Sequence, residues 1–430
     1  MEKIIFNARW SLKWGILFDV VSLILMCAVL IVVSVSLLIG NAPIAEYLKN
    51  DLLTESKSVA FLLSWVVAYV AAWTTLRSQS NHVRFDWISK VILVSAVSFL
   101  VVAMVIYFAR IPFLSRAVFF MSLSLAIIGN VVIFEIRGRL FKSIYGVFLQ
   151  DGAYVLPEHH GIQYRDLSGE EDYSKFSGVV VNLDAGELEE EVRKFTELQQ
   201  SGANLIDRKD WFELVSGRIL LSEVRLQDLE RVKPPRLYIR SKRVLDGALV
   251  LVMAPFIVPL GLLIGLAIKI ESSGPIFFRQ MRIGLHGKEF IMYKFRSMSH
   301  SSEAESASFA GKGDVRVTRV GKIMRRYRLD ELPQVLNVLK GQMSLIGPRP
   351  EQPEIVSRYL KSIPFYGFRH VVRPGISGWA QVVYHYAASD EETMRKLEYD
   401  FFYIKNMSLW LDFVVLLRTT VTMMLGKGAR

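Results

Sequence analysis

A single cysteine, Cys27, occurs in 430 residues, so no disulfide can form within the chain and its water-exposed parts suit a reducing compartment. Acid is scarce relative to base: 41 Asp and Glu stand against 52 Lys and Arg, a formal charge of +11. That balance points to anionic partners, either a lipid surface or phosphate-bearing substrates. Much of the basicity lies beside apolar runs, which favours lipid headgroups and leaves no nucleic-acid partner expected. Polarity is also short. Residues of the hydrophobic class make up 52% of the chain, too many for an ordinary soluble domain.

Charge is nearly absent from four runs in the first third, residues 16–39, 59–76, 88–108 and 117–134. Each is near the ~20 residues a helix needs to cross the hydrocarbon core. Four in succession read as a transmembrane four-helix region over 1–142 rather than as buried core helices. Lys3, Arg9 and Lys13 precede the first run as in a signal peptide. The run is too long for one, and no clear small-residue cleavage site follows, so it reads as a retained anchor. Arg77, Arg84 and Lys90 lie between the second and third runs, and Arg137, Arg139 and Lys142 follow the fourth. By the positive-inside rule both ends of the bundle are then cytoplasmic, with Arg110 and Arg116 in the third loop counting against it.

Residues 143–235 change character. Strand-like runs at 144–149, 179–183 and 203–206 alternate with an acidic helical pattern at 185–200, which predicts a small α/β module with a partly parallel sheet. No G-x-G-x-x-G follows its first strand, so a packing or regulatory role, with the module as a candidate dimer contact, is preferred to a cofactor site. Lys233-Pro234-Pro235-Arg236 reads as a linker, leaving 236–430 as the third domain.

The fifth apolar run, 244–268, is flanked by positive charge on both sides: Arg240, Lys242 and Arg243 before it, Lys269, Arg279 and Arg282 after it. Pro255 and Pro259 sit at its middle, where each removes a helix hydrogen bond. A re-entrant helix that enters, breaks and returns satisfies both facts, whereas a kinked full span satisfies only the second. Asp246 near its start needs a partner or the interface. Residues 409–425 carry Asp412 and Arg418 within an apolar pattern, which suits an interfacial or core helix better than a further span.

From Glu271 onward Gly, Pro, Arg and Lys recur in clusters: Lys294-Phe295-Arg296-Ser297-Met298, Arg325-Arg326-Tyr327-Arg328-Leu329-Asp330-Glu331-Leu332-Pro333-Gln334, Gly347-Pro348-Arg349-Pro350 and Arg373-Pro374-Gly375. Arginine beside glycine suits an oxyanion, because the fork gives paired donors and glycine admits close backbone approach. Asp330 and Glu331 among these cations are expected to stay ionised. An ionised carboxylate can attack phosphorus or hold Mg²⁺. The plainer alternatives are that Asp330 caps a helix and that the basic clusters only bind anionic lipid.

In this order the clusters, with Asn337-Val338-Leu339-Lys340-Gly341, Tyr403-Ile404-Lys405-Asn406 and the terminal Gly426-Lys427-Gly428-Ala429-Arg430, resemble the bacterial sugar transferase family of monotopic phosphoglycosyl transferases. The resemblance covers roughly 238–430, and the first 235 residues are similar in layout to the family's larger members, with four spans and a Rossmann-like cytoplasmic module. It implies a membrane protein with a four-helix transmembrane bundle, that α/β module, and an α-rich catalytic domain with a re-entrant helix. It further implies transfer of a sugar 1-phosphate from a UDP-sugar to undecaprenyl phosphate on the cytoplasmic face of the bacterial inner membrane, initiating exopolysaccharide, capsule or O-antigen synthesis. Asp330 matches the nucleophile, which releases UMP, and Glu331 its acidic partner at Mg²⁺, with Asp330 beside it. Arg325 and Arg349 match substrate phosphate-binding positions, to which Lys294 and Arg296 are added. Pro255 matches the proline of the helix break. Ala254 stands where some relatives have serine, and Gln342 where an acid is common, so Gln342 is not assigned to metal. The rivals are a non-catalytic membrane scaffold for polysaccharide assembly, which needs neither Asp330 nor Mg²⁺, and a glycosyltransferase, which would release UDP. The sugar itself is not readable.

Overall fold

The computed structural model describes residues 116–140, 143–147, 156–159, 162–167, 176–182, 189–224, 236–299, 316–384 and 390–424, with helical positions at 21, 22, 26, 66, 69, 70, 94, 95 and 97. Most of the first three apolar runs, Cys27, and most of the expected linker at 233–236 lie outside the described residues. The chain divides into two compact units, Met1–Gly217 and Arg218–Arg430.

In the first unit, α1 (Arg116–Leu140) covers the fourth apolar run and ends on Arg137 and Arg139, cations that suit a helix C-terminus. Its small and polar residues face other helices. Ala126 and Asn130 are fully buried, Asn130 Nδ2 donates to Ser95 Oγ at 3.2 Å, and a Cβ on Gly129 would collide with Met26. Close approach at small residues with an amide as bridge is how helices associate where no hydrophobic drive separates them from lipid.

The α/β region of this unit follows. Strands β1 (Ser143–Val147), β2 (Ile162–Asp166), β3 (Gly178–Val181) and β4 (Leu205–Asp207) form a wholly parallel sheet in the order β2-β1-β3-β4. Every residue of β3 is buried, because both faces are covered. On one face α3 (Arg208–Ser216) brings Trp211 and Val215 against Tyr145, Val147, Ile162 and Val180. On the other, α2 (Glu189–Gln200) brings Leu198 against Leu167, Val179 and Val181. Asp207 caps α3 by accepting from the backbone of Lys209 and Asp210, and Gly217 closes it at φ 67. The sequence reading finds the other strands but not β2, an edge strand whose Gln163, Arg165 and Asp166 side chains break the apolar pattern.

The second unit is organised around α4 (Arg236–Glu271), a single helix of 36 residues with Pro255 and Pro259 inside it. Among the described residues it is the one helix long and apolar enough to cross a membrane by length and composition, and most of its side chains are uncovered. Its N-terminal third is tied to the rest of the unit. Asp246 accepts from Ser344 Oγ at 2.5 Å and from the Leu345 backbone, which supplies the partner the sequence demanded. Asp412 accepts from Tyr238 Oη at 2.6 Å, Lys242 Nζ at 2.6 Å and Tyr403 Oη at 2.7 Å. Asp412 lies on α10 (Leu409–Met424), whose Leu411, Val414 and Val415 are buried. Residues 409–424 are therefore a core helix of this unit, and Arg418 stacks over Trp379 at 5.0 Å.

An antiparallel hairpin of β5 (Phe277–Ile283) and β6 (Glu289–Phe295) pairs Phe277 with Phe295 and Ile283 with Glu289. Helix α5 (Arg319–Arg326) follows, then a 3-10 turn (Leu329–Gln334) continuing into α6 (Val335–Leu339). The short β7 (Ser344–Ile346) pairs in parallel with β8 (Gly375–Ser377), and α7 (Pro353–Ser362) lies between them in the chain. Helices α8 (Trp379–Val383), α9 (Asp390–Lys405) and α10 complete the unit. The unit starts ahead of the proline linker, since the backbone of Ile219 and Leu221 and the Arg218 side chain all bond to Glu398 on α9.

Candidate active site

Two caps set the position of the acidic pair. The α5 N-terminus is closed by Thr318 Oγ1, which accepts from Gly321 N at 2.9 Å. Glu271, the last residue of α4, accepts from Arg319 N at 2.7 Å and Val320 N at 3.0 Å, joining the membrane-type helix to α5. After α5 the chain turns at Arg328, which takes φ 54, and the 3-10 turn then presents Asp330 and Glu331 on successive residues. Asn337, fully buried, fixes α6 to the hairpin. Its Oδ1 accepts from Tyr293 N at 3.2 Å, and its Nδ2 donates to Ile291 O at 2.7 Å and Gln342 Oε1 at 2.9 Å. Gln342 is thus occupied by an amide.

Glu331 is the electrostatic hub. It receives Lys294 Nζ from β6 at 2.9 Å and Arg349 Nη2 at 2.7 Å, with Arg349 Nη1 at 3.5 Å from its second oxygen. Arg349 and Lys294 hold its carboxyl far below the usual range although burial opposes them. Asp330 behaves differently. Lys294, Arg325 and Arg349 lie close enough to pull its pKa down, yet burial and the adjacent Glu331 charge push it up. The expectation that surrounding cations lower both carboxylates is met at Glu331 and reversed in direction at Asp330. Glu331 consumes much of that positive field, and desolvation outweighs the remainder. Among the described residues Asp330 makes no direct hydrogen bond, so its oxygens are open to a ligand, and the helix-capping alternative finds no cap bond to rest on.

The expected phosphate-binding residues separate into two groups. Lys294, Arg325 and Arg349 converge on the acidic pair, with Arg325 Nε also donating to Ser297 Oγ at 2.9 Å. Arg296 does not join them. It is 2% exposed, and its Nη1 and Nη2 donate to Ser273 O at 2.6 Å, Ser272 O at 3.0 Å and Ser272 Oγ at 2.8 Å. Strand alternation would put residues two apart on one face, but β6 ends at Phe295, so Arg296 lies beyond the strand and leaves that face. Pro255, expected at a helix break, lies inside α4 with helix continuing on both sides of it.

Residues outside the assigned site hold the Arg349 loop. Arg369 Nη2 donates to Arg349 O at 2.9 Å and to Asp400 Oδ2 at 2.8 Å, and Arg282 Nη1 donates to Pro350 O at 3.1 Å. Glu351 pairs with Lys396 at 2.7 Å and lies near Arg369 and Arg282. Lys396 and Arg369 hold the Glu351 carboxyl down to about 2 against its burial.

No three His, Cys, Asp or Glu side chains gather as a metal cage among the described residues. Mg²⁺ commonly needs only one or two carboxylates when phosphates complete its shell. The open oxygens of Asp330 fit such an ion, whereas the oxygens of Glu331 are already engaged by two cations.

Residues 237–426 match the family described as bacterial sugar transferase. The chain is 39% identical over 378 residues to the UDP-N-acetylgalactosamine-undecaprenyl-phosphate N-acetylgalactosaminephosphotransferase of Aeromonas hydrophila, covering 86% of each protein. The chain belongs to the bacterial sugar transferase family. UDP-glucose:undecaprenyl-phosphate glucose-1-phosphate transferases are also similar. That of Xanthomonas campestris pv. campestris is 44% identical over 195 residues, 45% of this chain but only 40% of that protein. That of Caulobacter vibrioides is 44% identical over 190 residues, 44% of this chain and 71% of that protein. This sugar transferase therefore shares 86% of its length with the Aeromonas relative, and residues 237–426 carry the family match.

Proposed function

We propose that this transferase moves a sugar 1-phosphate from a UDP-sugar to undecaprenyl phosphate through a covalent phosphosugar on Asp330. The observation that carries the reading is Asp330 itself: a half-buried carboxylate without a hydrogen bond among the described residues, close to Lys294, Arg325 and Arg349. In the first half-reaction an Asp330 oxygen attacks the sugar-linked phosphorus. The bond from that phosphorus to the bridging oxygen breaks, and UMP leaves with the electron pair. In the second, an oxygen of the lipid phosphate attacks the same phosphorus and Asp330 departs as the carboxylate, leaving sugar, two phosphates and lipid joined. Lys294, Arg325 and Arg349 neutralise charge on the transferring group, and Glu331 keeps Lys294 and Arg349 aimed at it. A Mg²⁺ ion would be held by Asp330 together with diphosphate oxygens and would offset their charge.

Topology belongs to the same proposal. Four crossings in the first third return the chain to the cytoplasm, and α4 re-enters at Pro255 so that Asp330 stays on that side, where UDP-sugars are made. The exposed apolar surface of α4 supports its contact with lipid. The names of the similar proteins support the substrates; which sugar is carried is decided by assay. Purified protein, undecaprenyl phosphate and a panel of UDP-sugars would be scored for released nucleotide. UMP supports the proposal, UDP indicates glycosyl transfer, and no turnover with any sugar favours a scaffold.

A further inference from the structure

A cavity of about 160 Å³ lies beside the N-terminal third of α4, lined by Ile239, Arg243, Leu285, Val338, Met343 and Arg373 among others. None of Lys294, Arg325, Asp330, Glu331 or Arg349 lines it, so it is separate from the site above. Its walls are mostly apolar, yet two arginines meet there on one residue. Arg373 Nε donates to Gly341 O at 3.0 Å. The Arg243 guanidinium lies over Gly341, which adopts φ 74, and a Cβ there would collide with it. Glycine at the end of the Asn337–Gly341 motif is thereby explained twice, by conformation and by space.

The two cations are poorly compensated. Arg243 makes no hydrogen bond or ion pair among the described residues. Asp412 is committed to Lys242, Tyr238 and Tyr403, while Asp246, which also lines the cavity, accepts from Ser344 and offsets only part of the charge on Arg373. Burial, and then the neighbouring Arg243 charge, lower the Arg373 pKa, so an anion between them would relieve a real repulsion. His286, held at φ 56, also lines the cavity and adds a donor. Placement says what kind of anion. Immediately after Arg243 the exposed surface of α4 turns apolar, with Val244, Leu245 and Leu249 uncovered. A group bound by Arg243 thus sits where charge gives way to hydrocarbon.

We propose that Arg243 and Arg373 form a second phosphate site, distinct from Asp330, which takes the phosphate of an anionic lipid whose chains run along α4. Two forks can hold one phosphate through several N–H donors, and the apolar walls accommodate the first carbons of its ester. This goes beyond the transfer reaction, and its test needs no turnover.

The full-length protein in dodecyl maltoside would be titrated with dioctanoyl phosphatidylglycerol, dioctanoyl phosphatidylcholine or inorganic phosphate, with bound lipid counted by native mass spectrometry. The expected result is phosphatidylglycerol binding at least tenfold tighter to wild type than to an Arg243→Gln, Arg373→Gln double variant, and weaker binding of the zwitterionic lipid. Inorganic phosphate should compete poorly if the lipid tail contributes. Competition at equal potency would keep the anion site but assign it to soluble phosphate. Equal lipid affinity in wild type and double variant overturns the proposal. Loss of binding in Asp330→Asn also overturns it, because the lipid would then be occupying the catalytic centre. Should the double variant fail to fold, Arg243→Lys keeps the charge but loses the fork, and unchanged binding there together with unchanged binding in Arg373→Lys counts against the site.

Discussion

At the scale of single residues, neighbouring side chains of like chemistry carry different work. Asp330→Asn should lower UMP release by more than about 10³-fold, the order expected when a covalent nucleophile is removed, while the protein stays folded. Full release by that variant would sink the nucleophile assignment. Glu331→Gln should cost activity by another route, since the amide cannot balance Lys294 and Arg349. Mg²⁺ titrations on this variant check the alternative: an unchanged metal requirement with reduced kcat matches an aiming role, and a shifted requirement makes Glu331 a ligand. Arg296→Met should destabilise the protein by roughly 2–4 kcal/mol, because the Ser272 and Ser273 carbonyls that Arg296 serves would be left without a donor. Denaturant unfolding measures that, and the KM for the UDP-sugar should not move. A raised KM with unaltered stability would return Arg296 to phosphate binding. The sequence grouped Lys294 with Arg296 because they share a motif. Only the end of β6, which separates their environments, tells them apart.

At the scale of elements, the Arg349 loop is held by a buried ionic cluster whose pH response can be isolated. Glu351 titrates in the folded protein at about 2, below its ordinary value of 4.5. Its contribution to stability is therefore full above about pH 4.5 and is lost as pH falls toward 2. Melting curves of wild type and Glu351→Gln should differ most at neutral pH and converge near pH 2, and a constant difference across that range would contradict the assignment. Helix α4 gives the second element-scale test. Pro255→Leu with Pro259→Leu restores two backbone donors and favours a continuous span. Cysteines at positions 303 and 430, in a background lacking Cys27, should be protected from an impermeant reagent in intact cells and labelled after lysis. Labelling of both in intact cells without the leucine changes would mean five full crossings and would remove the cytoplasmic-site proposal.

For the whole molecule, the two-unit division and the similarity to the Caulobacter protein, confined to 190 residues, make a prediction about independence. A chain beginning at Arg218 should reach the membrane and release UMP, because α4 and every named site residue lie within it. An inactive but folded fragment would assign the first unit a part in catalysis. The amino-acid sequence by itself determined the apolar runs, the α/β alternation and the acidic pair among arginines, because periodicity, charge flanks and motif order are local properties that survive without coordinates. It also demanded a partner for Asp246. Tertiary structure alone decided the edge strand β2, the commitment of Arg296 to a turn, the cations taken by Glu331, and the meeting of Arg243 with Arg373. Each of these depends on which face a side chain takes and on how burial competes with charge, and residues 130 positions apart come together only when the chain is folded.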